Sequence, residues 1–203
     1  MDRWTISPEQ VEKCIEFHGH WCPGLATGIR AAEFALRELG QSADEEIVAV
    51  AETDFCGVDA IQVLMGCTIG KGNLLVRNLG KVAFSFYRRS DGKSLRIVAR
   101  PDERNSGSEY RELQQKSNEG LLSKEEEERF HDLRNRRCSL ILHADFDSIF
   151  DVKEVQQPLP DFAPMGRSVI CDECGEKVME TKARLSVGRI LCSPCFEREN
   201  PRI

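Results

Sequence analysis

Long apolar runs are missing from this chain of 203 residues, and so is any basic surplus. The longest clean apolar stretches are 47–51 and 140–142, far too short to cross a bilayer. The first residues carry no basic-then-apolar leader pattern, so the expected location is the cytoplasm, with no membrane role. The net charge of -6 speaks against a general nucleic-acid binder, which needs excess Lys and Arg to neutralise phosphates. Histidine is scarce too, at four residues, whereas cysteine is not, at nine. In a reducing compartment nine cysteines read as metal ligands and catalytic thiols rather than as a disulfide framework.

Two of the four histidines fall within the stretch Phe17-His18-Gly19-His20-Trp21-Cys22-Pro23-Gly24. Pro23 and the apolar-periodic residues Leu25, Ile29, Ala32, Phe34 and Leu36 mark a helix start, so Cys22 is expected at a helix N-terminus. Unpaired N–H groups and the helix dipole favour its thiolate there. Pro23 biases Cys22 toward extended backbone, which points His20 and Cys22 to the same side and favours His20 over His18 as a metal partner. His18, closing a first helix that starts at Ser7 with Pro8 and Gln10, is then a second-layer or proton-transfer candidate.

Two further stretches carry cysteine. Cys56 follows Asp54-Phe55 and opens a short helical pattern over 58–65, and Cys67 closes it in the loop Gly66-Cys67-Thr68-Ile69-Gly70-Lys71-Gly72-Asn73. The loop is one residue short of a phosphate-binding loop, and Gly72 stands where a magnesium-binding Ser or Thr would be, so we expect it to bring Cys67 and Lys71 to a pocket. A core site of His20, Cys22, Cys56 and Cys67 would hold zinc or another transition metal. Cys22, His18 and Cys67 are the catalytic candidates, and Lys71 is the candidate contact for an anionic cofactor. The alternative is that both histidines are packing residues and the thiols small core fillers. Asp54 and Asp59 either orient an imidazole or cap the helix, with the cap favoured. Cys14 and Cys138 are expected in the core.

The elements point to an α+β class: helices first, then 47–52 and three strands over 74–100 with turns at 78–80 and 91–92, helices packing on a mainly antiparallel sheet. Residues 101–137 hold eighteen charges and two capping-box starts, Ser106 to Glu109 and Ser123 to Glu126. They read as solvated helices, or as a lid or dimer arm. The chain returns through 138–143 and 149–155 to finish a core of residues 1–156. A proline-rich linker follows at 157–166.

In the tail, Cys171 and Cys174 are matched by Cys192 and Cys195 after seventeen residues. Two such pairs close a four-thiolate zinc shell with no open position, hence a structural site. A hairpin turning at Gly188 and a short terminal helix suggest a treble-clef or ribbon-like finger over 167–203. Residues 165–203 carry seven basic and six acidic side chains, a weak footprint for DNA. A protein contact, a dimer brace or a cap over the core site is the better use of the finger.

The stretches 17–31, 56–73 and 80–84, with 149–155, resemble the FmdE family, named for one component of formylmethanofuran dehydrogenase, and the tail looks like the finger that some members append. The resemblance implies an α+β core, a homodimer, and a cleft lined by the His-Gly-His and cysteine motifs. It also implies a link to one-carbon redox metabolism through a molybdenum or tungsten formylmethanofuran dehydrogenase-like complex, as an oxidoreductase-associated component. Nothing in the chain resembles the large catalytic component that would carry a pterin. The competing reading is a non-catalytic adaptor that grips a partner protein through the finger and the charged helices.

Overall fold

The computed structural model describes residues 6–101, 108–163 and 166–201. Two compact units divide between Phe162 and Ala163. The first opens with helix α1, Pro8–His18, whose Ser7 hydroxyl accepts from Gln10 N at 3.2 Å while Gln10 Oε1 accepts from Ser7 N at 2.8 Å. That reciprocal pair is the capping box read from the sequence. Gly19, at φ 88, ends the helix in the left-handed region, and helix α2, Pro23–Leu39, follows.

Strand β1, Ile47–Ala51, leads to helix α3, Gly57–Ala60, and a single π turn, Ile61–Met65. Strands β2 (Leu74–Val76), β3 (Ala83–Arg88), β4 (Ser94–Ala99) and β5 (Phe150–Lys153) complete a sheet of order β2-β1-β3-β4-β5. All pairings are antiparallel except β1 with β2. The exception has a cause. The chain between β1 and β2 crosses over through α3 and the π turn, a connection long enough to return the next strand in the same direction.

Ile47, Ala49 and Ala51 face the main core with Phe84, Phe86, Leu95 and Ile97, under α2 and α3. Val48, Val50 and Tyr87 point the other way and pack with Leu75 and Val155. β1 is therefore covered on both faces. Residues 157–162 of the proline-rich run belong to this unit: Tyr87 Oη donates to Gln157 O at 3.4 Å and Arg89 to Pro160 O at 3.0 Å.

Helices α4 (Ser108–Asn118) and α5 (Lys124–His143) occupy the charged segment, with α6 (Phe146–Ile149) after them. The Ser123–Glu126 capping box forms, whereas the start at Ser106 lies outside the described residues. Residues 138–143 continue α5 rather than forming a separate element. Leu113, Phe130 and Cys138 are buried, and α5 packs on α2, so these helices have an apolar side as well as a solvated one. Among the described residues no helix is long and apolar enough to cross a membrane.

The second unit consists of the hairpin β6 (Ser168–Ile170) and β7 (Lys177–Met179), the hairpin β8 (Arg184–Ser186) and β9 (Arg189–Leu191), and helix α7 (Ser193–Glu199). A cysteine knuckle, a hairpin and a helix carrying the second pair make the treble-clef order. Its apolar cluster is small, with Leu191, Val178 and Phe196 around the sulfurs.

Candidate metal centre

Three local devices gather the core donors. Gly19 turns the chain back at the end of α1, so the His18 and His20 rings lie 4.4 Å apart. Pro23 keeps Cys22 extended at φ -148, where its Sγ accepts from Leu25 N at 3.4 Å and caps α2. Cys56 opens α3, which approaches α2 closely because Gly24 and Gly28 present no side chain. A Cβ on Gly28 would fall within 2.7 Å of Gly57 C, and one on Gly24 within 3.1 Å of Cys56 Cβ.

The result is a cluster of His18, His20, Cys22 and Cys56 whose donor atoms all lie within 4.8 Å of one another. His18 Nε2 is 3.7 Å from Cys22 Sγ. Zinc bonds of about 2.3 Å to sulfur and 2.0 Å to nitrogen, set tetrahedrally, place such a pair roughly 3.6 Å apart, so the donor set fits a transition ion. His18 Nδ1 lies 2.7 Å from Asp59 Oδ2, and Gln62 Nε2 donates to Asp59 Oδ1 at 3.2 Å. A carboxylate at Nδ1 selects the tautomer with its proton there and leaves the Nε2 lone pair for an ion. Burial, then the neighbouring Cys22 thiol, pushes Cys56 up to about 11. Without a cation it stays a thiol. Loss of solvation, then the charges of His18 and Arg134, lowers the pKa of His20, which is therefore neutral near pH 7.

This geometry corrects several expectations. Cys67 does not join the cluster: it is fully buried, its thiol donates to Ile47 O at 3.4 Å, and burial pushes it up to about 12. His18 stands among the donors instead, because the turn at Gly19 brings it to Cys22. Asp59 orients that imidazole and makes no cap bond at α3. The glycine-rich loop is a latch. Asn73, 1% exposed, donates to Ile47 O and Asp44 O and accepts from Thr68 N, while Lys71 Nζ donates to Asp44 O at 3.2 Å. Lys71 is thus engaged away from the donor cluster. Cys14 is buried in the main core and its thiol is raised to about 11, while Cys138 is buried on α5.

Sequence reasoning missed the α2–α3 approach, although the Gly24–Gly28 spacing on one helix face was its signal. It offered Asp59 as a residue that could orient an imidazole but favoured the cap, since no local pattern ties Asp59 to His18, 41 residues away.

In the tail, Cys171, Cys174, Cys192 and Cys195 likewise lie within 4.8 Å of one another. Cys192 N donates to Cys171 Sγ at 3.3 Å, and backbone N–H groups of Cys174 and Cys192 bring the Cys171 thiol down to about 6. Cys195 is instead raised to about 12, first by burial and then by the neighbouring sulfurs. One thiolate forms readily and keeps Cys174 and Cys195 protonated until a cation arrives. Four sulfurs, with no fifth donor among the described residues, make this a structural zinc site.

The family described as "FmdE, Molybdenum formylmethanofuran dehydrogenase operon" matches residues 17–151, and the prokaryotic dksA/traR C4-type zinc finger matches residues 166–201. An Archaeoglobus fulgidus protein named as a probable S-adenosyl-L-methionine-binding protein is 32% identical over 180 residues. The alignment takes in 83% of this chain and 48% of that protein, so the chain spans about half the relative's length. The crystal structure of a tungsten formylmethanofuran dehydrogenase FmdE-like protein from Syntrophus aciditrophicus aligns with a TM-score of 0.60 at 25% identity, covering 96% of this chain and 94% of that one.

Proposed function

The chain belongs to the FmdE family, matched over residues 17–151, and on that premise we propose that its core is the working metal centre of a protein of one-carbon redox metabolism. The observation that carries the reading is the convergence of two imidazoles and two thiols from α1, the following turn and the starts of α2 and α3. The one-carbon link draws on the Syntrophus neighbour, described as tungsten formylmethanofuran dehydrogenase FmdE-like. S-adenosylmethionine binding is not carried over, because 48% of the protein so named is spanned by this chain.

A bound divalent ion would supply Lewis acidity or a water of lowered pKa. The chain's own residues set the rest. Asp59 fixes His18, and Leu25 N–H holds the Cys22 sulfur in place at the start of α2. His20 is neutral and exposed, which makes it the donor that an incoming ligand displaces. In the same reading the chain is a homodimer and meets a molybdenum or tungsten formylmethanofuran dehydrogenase-like complex.

Elemental analysis of the whole protein tests this. Wild type should carry about two metal ions per chain, one per donor set, with Cys22→Ser losing the core ion and Cys171→Ser the tail ion. A Cys22→Ser protein unchanged in both metal content and thiol reactivity sinks the reading.

One observation favours a non-catalytic alternative, in which the core ion is structural and the finger and charged helices contact a partner protein. The cluster offers four protein donors, enough to close a tetrahedral shell. Added azide separates the two on cobalt(II)-loaded protein: a closed shell leaves the visible bands unchanged, and a displaceable His20 does not.

A further inference from the structure

The charged helices bring a cation to the core cluster. Phe130 and Cys138 are buried on α5, and Arg134 lies midway between them at the spacing that puts all three on one face. α5 packs on α2, Arg30 of α2 donates to Ala144 O just past the end of α5, and eight residues before Arg30 the Cys22 sulfur acts on Cys138, six residues before Ala144, so α2 and α5 run alongside in the same sense. Traced back toward their starts at about 1.5 Å per residue, they bring Cys138 and Arg134 level with Cys22. The electrostatics agree: Cys22 is felt at Cys138 and Tyr110, and Arg134 at His20.

Arg134 is under-satisfied. Its Nε is buried without a hydrogen-bond partner among the described residues, and its guanidinium carbon lies 5.8 Å from the Phe130 ring centre. A buried donor left unpaired costs free energy, so the position favours an incoming acceptor. Around it, Tyr110 packs on Phe130 at 5.4 Å and Arg137 lies over the Tyr110 ring at 4.9 Å, an aromatic support that limits how far α4 and α5 can shift.

Building on the core centre proposed above, we infer that Arg134 forms an anion-binding subsite beside that centre and that its ligand is a small carboxylate. A guanidinium presents planar, paired donors that match a carboxylate. The neighbouring cation favours the same charge. Arg134 is a binding residue here, not a metal ligand.

Full-length protein loaded with cobalt(II) and titrated with formate, acetate or inorganic phosphate tests the inference through its visible bands, with metal content measured in parallel. The tail's four-sulfur shell has no open position and stays silent to added anions. Formate and acetate should shift the wild-type bands. Arg134→Gln should weaken their binding about ten- to a hundredfold, the factor for losing a charge-assisted hydrogen bond. Arg134→Lys should fall between, and Arg136→Gln, exposed on the same helix, should match wild type. Equal affinity in wild type and Arg134→Gln overturns the subsite, as does preference for phosphate or indifference to carboxylates. Loss of the core cobalt in both Arg134 variants overturns it in favour of a structural role. Wild type that takes cobalt in the tail alone sinks the core centre itself, a failure the stoichiometry distinguishes.

Discussion

Asp59 decides which nitrogen of His18 faces the donor cluster. Its carboxylate sits 2.7 Å from Nδ1 and is itself held by Gln62. Asp59→Asn can still accept from Nδ1–H but loses the charge, so core metal affinity should fall about 10- to 100-fold with the fold intact. Competition against a chromophoric chelator measures it, and an unchanged affinity would make His18 a packing residue. The same scale explains why Cys67 was misjudged. Residue type marks a thiol as a donor, but only position separates Cys56, at the start of α3, from Cys67, sealed under β1.

At the scale of elements, the core centre depends on two helices touching without side chains between them. Gly28→Ala would drive a methyl into the Gly57 backbone and push α3, with Cys56, away from α2. We expect a loss of about 1–3 kcal/mol in stability, and a core emptied of metal while the tail keeps its zinc. Metal analysis together with thermal unfolding checks both parts. The finger offers an opposite case. Val187 sits at φ 48 in the β8–β9 turn, fully exposed, followed by Gly188 at φ 78. Paired positive φ values call for Asn-Gly, and a β-branched residue there is strained. Val187→Asn should stabilise the finger by up to about 1 kcal/mol, read as a higher melting temperature of that unit.

For the whole molecule, the two units differ in what holds them. The first has its own apolar core, whereas the finger surrounds its sulfurs with few apolar side chains. Structural zinc contributes on the order of 10 kcal/mol to such a module. Chelation at neutral pH should therefore abolish hydrogen-exchange protection over 166–201 and leave β1 and β3 protected. Acid acts on the first unit. The Arg96 guanidinium, bonded to Glu52 at 2.5 and 2.7 Å, holds its carboxyl below the usual range against the opposing effect of burial. A depressed folded pKa means that this stabilisation is present above the unfolded value of about 4.3 and is lost as pH falls below it. The stability difference between wild type and Glu52→Gln should shrink over that acid range in urea titrations.

Much of this was legible in the chain. The tail zinc site follows from spacing alone, because paired cysteines two residues apart carry their geometry with them. The helix starts at Ser7, Pro23 and Ser123 were equally local, since capping is decided within four residues. Helices on a mainly antiparallel sheet followed from the order of periodicities. What the tertiary structure decided is everything that needed distant segments to meet: β2 lying parallel to β1, Asp59 behind His18, Cys56 rather than Cys67 beside Cys22, and Arg134 brought level with the cluster by α5. Sequence fixes local backbone preference and chemistry, but which side chains share a site depends on packing, and here two glycines on α2 set the approach that gathers them.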